Sequence, residues 1–315
     1  MTIQQQALKE LAMRRLEETH ELQRGSLLEF VKDYWIREKK VNLDMNRHIV
    51  EICEALERIY RWEITRLMIN IPPRSLKTEI VSIAFPAWCL WKDNSKKFMG
   101  ISYSSWLSWD NSSACRAMYQ SDTYATIFPR STDIKEDQNT KQYRTTQEGG
   151  QYYASWSTGT ITWKGCDIML IDDPLKPDDV ESDLKRTAVN TNYHNTLESR
   201  LNDKSLWAVV IIMQRLHDDD LCWHLLEMED NKTGDEWVKI IVPAIAVEDD
   251  EHRKKWESFF EKRFPLVILE KLRSWQAQTF STQYQQEPVD ESSQEFHEEW
   301  FNYYDIIPEG GRIFT

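Results

Sequence analysis

The sequence lacks any excess of basic charge. Its 39 Lys and Arg stand against 52 Asp and Glu, a formal net charge of −13 over 315 residues. A strongly basic balance would point to nucleic acid directly, and this one does not. Any contact with a polyanion must come from a local patch, with repulsion elsewhere keeping the grip weak. Paired cysteines are also lacking. Cys53, Cys89, Cys115, Cys166 and Cys222 contain no C-x-x-C pair and no zinc spacing. Each lies in or beside an apolar stretch, which predicts buried, reduced thiols in a reducing compartment. No apolar run approaches the ~20 residues of a membrane span. The N-terminal MTIQQQALKELAMRRLEETHELQ has no apolar signal core and carries acids, which excludes a secretory peptide. Internal repeats are absent as well.

What is present is ordinary globular material: 41% hydrophobic and 29% charged residues, with 14 Trp and 12 Tyr to furnish large apolar faces. Residues 2–38 read as helix, with Leu8, Leu11, Ala12 and Leu16 at spacings of three and four and Lys and Glu on the other face. This predicts a surface or partner-facing helix. Residues 47–60 give a clearer stripe of Ile49, Ile52, Cys53, Leu56, Ile59 and Tyr60. The period then changes. Strands are predicted at 66–71, 98–103, 168–172 and 207–213, alternating with helices at about 78–90, 106–119, 181–201 and 218–229. Strands this apolar are buried on both faces, which argues for a mostly parallel sheet flanked by helices. After about Val242 the pattern weakens; 265–284 reads as helix, and 286–309 holds eight acids and no Lys or Arg, a solvated linker. The last residues, Gly310 to Thr315, read as the start of a strand, so the chain is expected to be part of something longer.

The chemistry concentrates at two strand ends. Pro72-Pro73-Arg74-Ser75-Leu76-Lys77-Thr78 lies between a strand and a helix, the context a phosphate loop requires. There a lysine ammonium can sit between β- and γ-phosphates, a threonine hydroxyl can ligate Mg²⁺, and the N–H groups of a helix start can meet the phosphates. The two glycines of G-x-x-x-x-G-K-[ST] are missing: Ile71 and Leu76 stand there. Lys-Thr at a helix start also occurs by chance. The second strand end is Ile168-Met169-Leu170-Ile171-Asp172-Asp173. Alternation along a strand predicts different roles, with Asp172 holding the Mg²⁺ shell and Asp173 orienting or deprotonating the attacking water; Asp-Asp-Pro can also be a plain strand-ending turn. A third strand end, Gln214-Arg215, places polar groups on the ligand crevice. Gln214 can sense the γ-phosphate and Arg215 can carry that signal onward. Asp218 to Asp220 are expected to cap the next helix, and His217 is open between a functional and a structural role.

Taken in order, these stretches resemble the large terminase subunit of tailed bacteriophages. Asn70 to Thr78 looks like that family's divergent Walker A loop, in which an arginine precedes the lysine. Ser102-Tyr103-Ser104 is similar to its second strand. Lys164-Gly165-Cys166-Asp167 leading to Ile171-Asp172-Asp173-Pro174 looks like its Walker B approach. Gln214 to Leu221 looks like its coupling motif, and Phe280 to Pro288 resembles the tract closing its ATPase half. The likeness covers about residues 45–290.

The resemblance implies a P-loop NTPase fold of the additional-strand, RecA-like type and an ATPase that uses ATP and Mg²⁺ to drive double-stranded DNA into a procapsid. It implies partnership with a portal protein and a small terminase subunit, self-association into a ring (usually a pentamer, though isolated domains are often monomers), and a place in the host cytoplasm with no membrane. By motif, Arg74 and Lys77 contact phosphates, Thr78 and Asp172 bind the metal, Asp173 is catalytic, and His48 falls where adenine-side contacts lie. Lys164, Arg116 and Arg200 are candidates for a positive group supplied in trans. Position 173 is Asp where many relatives have Glu, so Glu181 is an alternative water-activating acid. The expected organisation is an N-terminal helical segment over 1–44, the ATPase core over 45–245, a lid and linker over 246–309, and the start of a truncated nuclease domain over 310–315, with no DNA cleavage by this chain. The alternatives are another P-loop translocase of helicase type and a regulatory domain with a decayed nucleotide site, the latter suggested by Ile71 and Leu76.

Overall fold

A computed structural model describes residues 3–40, 43–129, 143–146, 148–159, 165–197, 207–250 and 253–288. One sheet organises them. Its strands are β1 (Arg66–Asn70), β2 (Lys97–Ser102), β3 (Tyr143–Thr145), β4 (Gln151–Trp156), β5 (Ile168–Asp172), β6 (Ala208–Met213) and β7 (Val238–Ile241), in the spatial order β3-β4-β2-β5-β6-β1-β7. Every pairing is parallel except that of the edge strand β3 with β4. All residues of β1, β5 and β6 are buried, because strands covered by helices on both faces carry apolar side chains in both directions. Leu67 and Ile69 face one core while Met68 faces the other, and Leu170 and Ile171 divide the same way. The predicted class, a mostly parallel P-loop sheet flanked by helices, is the one found.

The helices are α1 (Ile3–Gly25), α2 (Leu27–Tyr34), α3 (Arg47–Tyr60), α4 (Phe85–Lys92), α5 (Ser105–Tyr119), α6 (Asp122–Ile127), α7 (Asp183–Asn192), α8 (Leu221–Asp230) and α9 (Leu266–Trp275). The single helix expected over 2–38 is broken. Gly25 ends α1, and Ser26 turns extended and accepts from the Glu29 N–H to cap α2. The break lets α2 bury Leu27, Phe30, Val31 and Tyr34 in the same core as α3 and the sheet, while Leu8, Leu11 and Leu16 of α1 remain exposed. The helix expected from Thr78 opens instead as a wide π-type turn over Glu79–Ala84 before α4 begins. Strands β3, β4 and β7 are additions to the expected set. The polar Gln151 and Ser155 hid β4, and β7 buries only alternate residues partially, as an edge strand does.

Gly100 fixes one contact that matters for the site. A methyl group there would lie 2.4 Å from the Tyr152 hydroxyl. Without it, Tyr152 crosses β2 and donates to the Ser82 carbonyl at 3.1 Å, pinning the turn that follows the loop. All five cysteines are free and buried, as expected. Among the described residues no helix is long and apolar enough to cross a membrane.

Candidate nucleotide site

The loop at Pro72–Thr78 leaves the carboxyl end of β1, where Ile71 N–H still reaches the Met213 carbonyl at 3.4 Å. It solves the missing-glycine problem with non-glycine residues in left-handed backbone: Arg74 at φ 60° and Leu76 at φ 67°. Each such residue costs on the order of 1–2 kcal/mol, so its surroundings must enforce it. Two side chains hold the loop carbonyls. His48 on α3 points Nε2 at the Ser75 carbonyl, 3.2 Å away, and Arg263 donates from Nη1 to the Arg74 carbonyl at 2.9 Å. His48 is no surface histidine. It is 2% exposed and wedged against Phe259 and Phe260, with ring centroids 5.4 and 5.6 Å away. Burial pulls its pKa down to about 4, so at neutral pH it is uncharged and donates through Nε2–H.

The two carboxylates converge on this loop. Asp172 ends β5 with 2% exposure; it accepts from Thr78 Oγ1 at 3.2 Å, Ser82 Oγ at 2.8 Å and Asn111 Nδ2 at 3.4 Å. Asp173 accepts from Lys77 Nζ at 2.7 Å through Oδ1. Strand alternation would have sent these side chains apart. Asp173 instead leaves the strand at φ 45°, and both carboxylates turn to the same edge. Burial and the neighbouring Asp173 charge push the Asp172 pKa up to about 7. A buried carboxylate in that condition, beside the Thr78 and Ser82 hydroxyl oxygens, suits a hard divalent cation that takes oxygen ligands. Pro73 to Glu79, Ile83, Leu107, Asp110, Asn111, Asp173 and Gln214 line an open cleft of about 400 Å³. Pro72 is buried and does not line the cleft. Glu181 is exposed and does not line it.

Gln214 and Arg215 part company. Gln214 lines the cleft and its buried Oε1 has no hydrogen-bond partner. Arg215 is buried on the other side of the chain, with Nε 2.8 Å from Asp220 Oδ2. Its backbone N–H donates to Gln286 Oε1 at 2.9 Å. Asp220 is the N-cap of α8, accepting from the Trp223 N–H, which is the capping role expected of that acid. His217 packs against Asp218 at 2.5 Å and accepts from the Asp219 N–H, both within the same turn. Arg116 lies on α5 and donates to Gln120, away from the cleft wall. Lys164, Arg200 and the stretch 310–315 lie outside the described residues.

Sequence reading missed Ser82, Asn111, Arg263 and Gln286. Ser82 had a signal, since it falls one helical turn after Thr78; the others contact the site only through the tertiary fold.

The strand order completes the picture. β6, carrying Gln214 at its end, lies between β1 and β5, so one additional strand separates the lysine loop from the aspartate pair. That arrangement is a RecA-like P-loop NTPase fold. No family model matches the chain, and no curated protein matches it. Among solved structures, the HK97 bacteriophage large terminase is similar, at 13% identity and a TM-score of 0.49, over 81% of this chain and 52% of that one. The ATPase domain of the Thermus phage P74-26 large terminase gives 11% identity and 0.48, over 79% of this chain and 100% of that one. A large terminase from a thermophilic bacteriophage, in complex with ATP-γ-S, gives 10% identity and 0.41, over 73% and 51%. The chain thus spans about half the length of the HK97 protein.

Proposed function

We propose that this chain is an ATPase that drives double-stranded DNA into a viral procapsid. The observation that carries the ATPase reading is the meeting of Lys77, Thr78, Asp172 and Asp173 at one sheet edge, beside an open cleft. In this reading Arg74 and Lys77 bind the phosphates, with the N–H groups of the loop around Ser75 and Leu76 supporting them. Thr78 and Asp172 would hold Mg²⁺, which when bound would supply positive charge against the phosphates. Lys77 is engaged by Asp173; a triphosphate competes for that ammonium and leaves the Asp173 carboxylate facing the attacking water, which it orients and deprotonates. Gln214, with its unpartnered Oε1 at the cleft, responds to the γ-phosphate. Arg215 acts through the backbone that it stabilises with Asp220 rather than by touching nucleotide. His48 serves the loop from behind.

The left-handed Leu76 argues against a decayed site, because the backbone shape a glycine would confer is retained. The motor reading adds a ring of copies, a portal protein and a small subunit as partners in the host cytoplasm, and Lys164 as a group acting on a neighbouring copy. It also divides the chain into a helical segment to residue 44, a core to 245 and a lid beyond. The test is ATP turnover. Lys77→Ala is expected to lower kcat/KM by at least ~100-fold, in the range of losing a positioned transition-state charge. Turnover at the wild-type rate sinks the proposal. Stimulation by portal protein or small subunit separates a packaging motor from other translocases.

A further inference from the structure

The first helix leaves a face without a partner. Every side chain from Leu8 to Thr19 of α1 is exposed. The helix is moored only near its end. There His20 and Gln23 are buried, the Gln23 carbonyl accepts from Trp88 Nε1 at 3.3 Å, and Arg24 donates from Nε to the Ile127 carbonyl at 2.7 Å. At 3.6 residues per turn, His20 lies about 160–180° around the helix from Leu22 and Leu11. The mooring therefore turns Leu8, Leu11 and Leu22 outward, 62%, 49% and 64% exposed. A stretch of helix standing off the body lacks the tertiary packing that supplies most helical stability in proteins.

The outward face has the seven-residue register of a coiled coil. Leu8, Arg15 and Leu22 stand at one seam position and Leu11 and Glu18 at the other, with Arg14 and Glu21 flanking the seam on one side. The helix as a whole is balanced, with Lys9, Arg14, Arg15 and Arg24 against Glu10, Glu17, Glu18 and Glu21. Arg24 is taken by Glu17. Among the described residues, Arg14, Arg15, Glu18 and Glu21 make no ion pair. Their placement is self-complementary in one orientation. With a second α1 antiparallel, and Leu11 set against the partner's Leu22, Arg15 meets the partner's Glu18 in two symmetric layers. Arg14 then meets the partner's Glu21 on the flank. A parallel pair would instead set Arg15 against Arg15 and Glu18 against Glu18. Lys9 and Glu10 lie outside the seam.

We propose that α1 joins two copies of this chain in an antiparallel, two-fold helix pair through Leu11, Arg15, Glu18 and Leu22. Leu11 packs on the partner's Leu22 at both ends of the contact. The two Arg15–Glu18 layers between them fix orientation and register, which is what polar seam residues confer at a cost in stability. A two-fold contact uses the same patch on both copies and closes at two, so it is distinct from the head-to-tail contact that builds a ring. The inference does not rest on the ATPase reading.

The experiment is sedimentation velocity on the whole chain, without nucleotide, over a range of concentrations around the micromolar. The wild type is expected to pass from monomer to dimer as concentration rises. Arg15→Glu alone sets acid against acid in both layers, and Glu18→Arg alone sets base against base. Each is expected to weaken dimerisation at least ~tenfold. Mixing the two single variants restores opposite charges in both layers, and so does the double reversal Arg15→Glu, Glu18→Arg in one chain. Both are expected to associate within about threefold of the wild type. The double reversal also reads the orientation, because a parallel pair would still oppose like charges. Unchanged thermal midpoints are expected at these exposed positions and show that each variant folds. A wild type that stays monomeric throughout overturns the proposal and leaves this face to a helix of another protein. An assembly that the single reversals leave intact overturns it too, as does a double reversal that remains monomeric.

Discussion

At Leu76 the side chain and the backbone make separable claims. A P-loop asks for a left-handed residue one before the lysine, which is why glycine is usual there; here leucine takes φ 67° and its side chain packs on the core. If the backbone shape is what nucleotide requires, then Leu76→Gly should bind ATP analogue within about threefold of the wild type, since glycine adopts this conformation freely. Leu76→Val is closer in volume, yet a β-branched residue is a true outlier at positive φ. It should lose at least tenfold in affinity, measured by calorimetric titration. Equal affinities for Val and Gly would show that the loop has no such requirement. The same residue marks a limit of sequence reading. A missing glycine looks like decay, and only the paired braces, His48 on the Ser75 carbonyl and Arg263 on the Arg74 carbonyl, reveal how the shape survives. Arg263 lies far along the chain from the loop, and nothing in local spacing announces it.

Among elements, the end of β6 separates a sensing residue from a structural one. Gln214 and Arg215 are adjacent, and sequence order alone assigned both to one coupling role. The strand points them apart: Gln214 to the cleft, Arg215 to Asp220 and, through its N–H, to Gln286. Arg215→Ala leaves the fully buried Asp220 carboxylate without its partner, which costs about 3–5 kcal/mol. Its thermal midpoint should fall by several degrees. Gln214→Ala removes an amide that has an unpartnered oxygen, so its midpoint should stay near wild type while kcat falls with KM little changed. The reverse pattern would assign sensing to Arg215. The central strands were legible because their apolar runs are uninterrupted, as were the ends that carry Lys77, Asp172 and Gln214. β4 was not, since Gln151, Tyr152 and Ser155 are polar residues buried by partners that a sequence does not display. Nor was the break after Gly25, because helical periodicity continues through Ser26 and only the cap reveals the turn.

For the molecule as a whole, two buried groups tie folding to pH with opposite signs. His48 has its pKa lowered to about 4 by burial, against an ordinary 6.5. Unfolded chains bind that proton first as pH falls, so this group's contribution is complete above 6.5 and declines toward 4. Asp172 has its pKa raised to about 7 by burial and the Asp173 charge, against an ordinary 3.8. Here the folded chain holds the proton more tightly, so stability is fully present below 3.8 and is lost as pH rises toward 7. The two effects act in opposite directions over an overlapping window. The wild type should therefore show a shallow pH profile from these two sites, and single variants should unmask each slope. His48→Gln keeps a donor for the Ser75 carbonyl but removes the titration; its stability should fall as pH rises between about 4 and 7. Asp172→Asn should do the opposite and gain stability with rising pH. Asp172→Asn should also be more stable than the wild type above pH 7, where it no longer buries a charge. Chemical denaturation in metal-free buffer across this range reads both slopes. The cost of charging Asp172 at neutral pH is the thermodynamic room that a cation at Thr78 and Asp172 can fill, so adding Mg²⁺ with nucleotide should raise the wild-type midpoint and leave Asp172→Asn unmoved. Parallel profiles for all three proteins would mean that neither buried group is perturbed as its surroundings dictate.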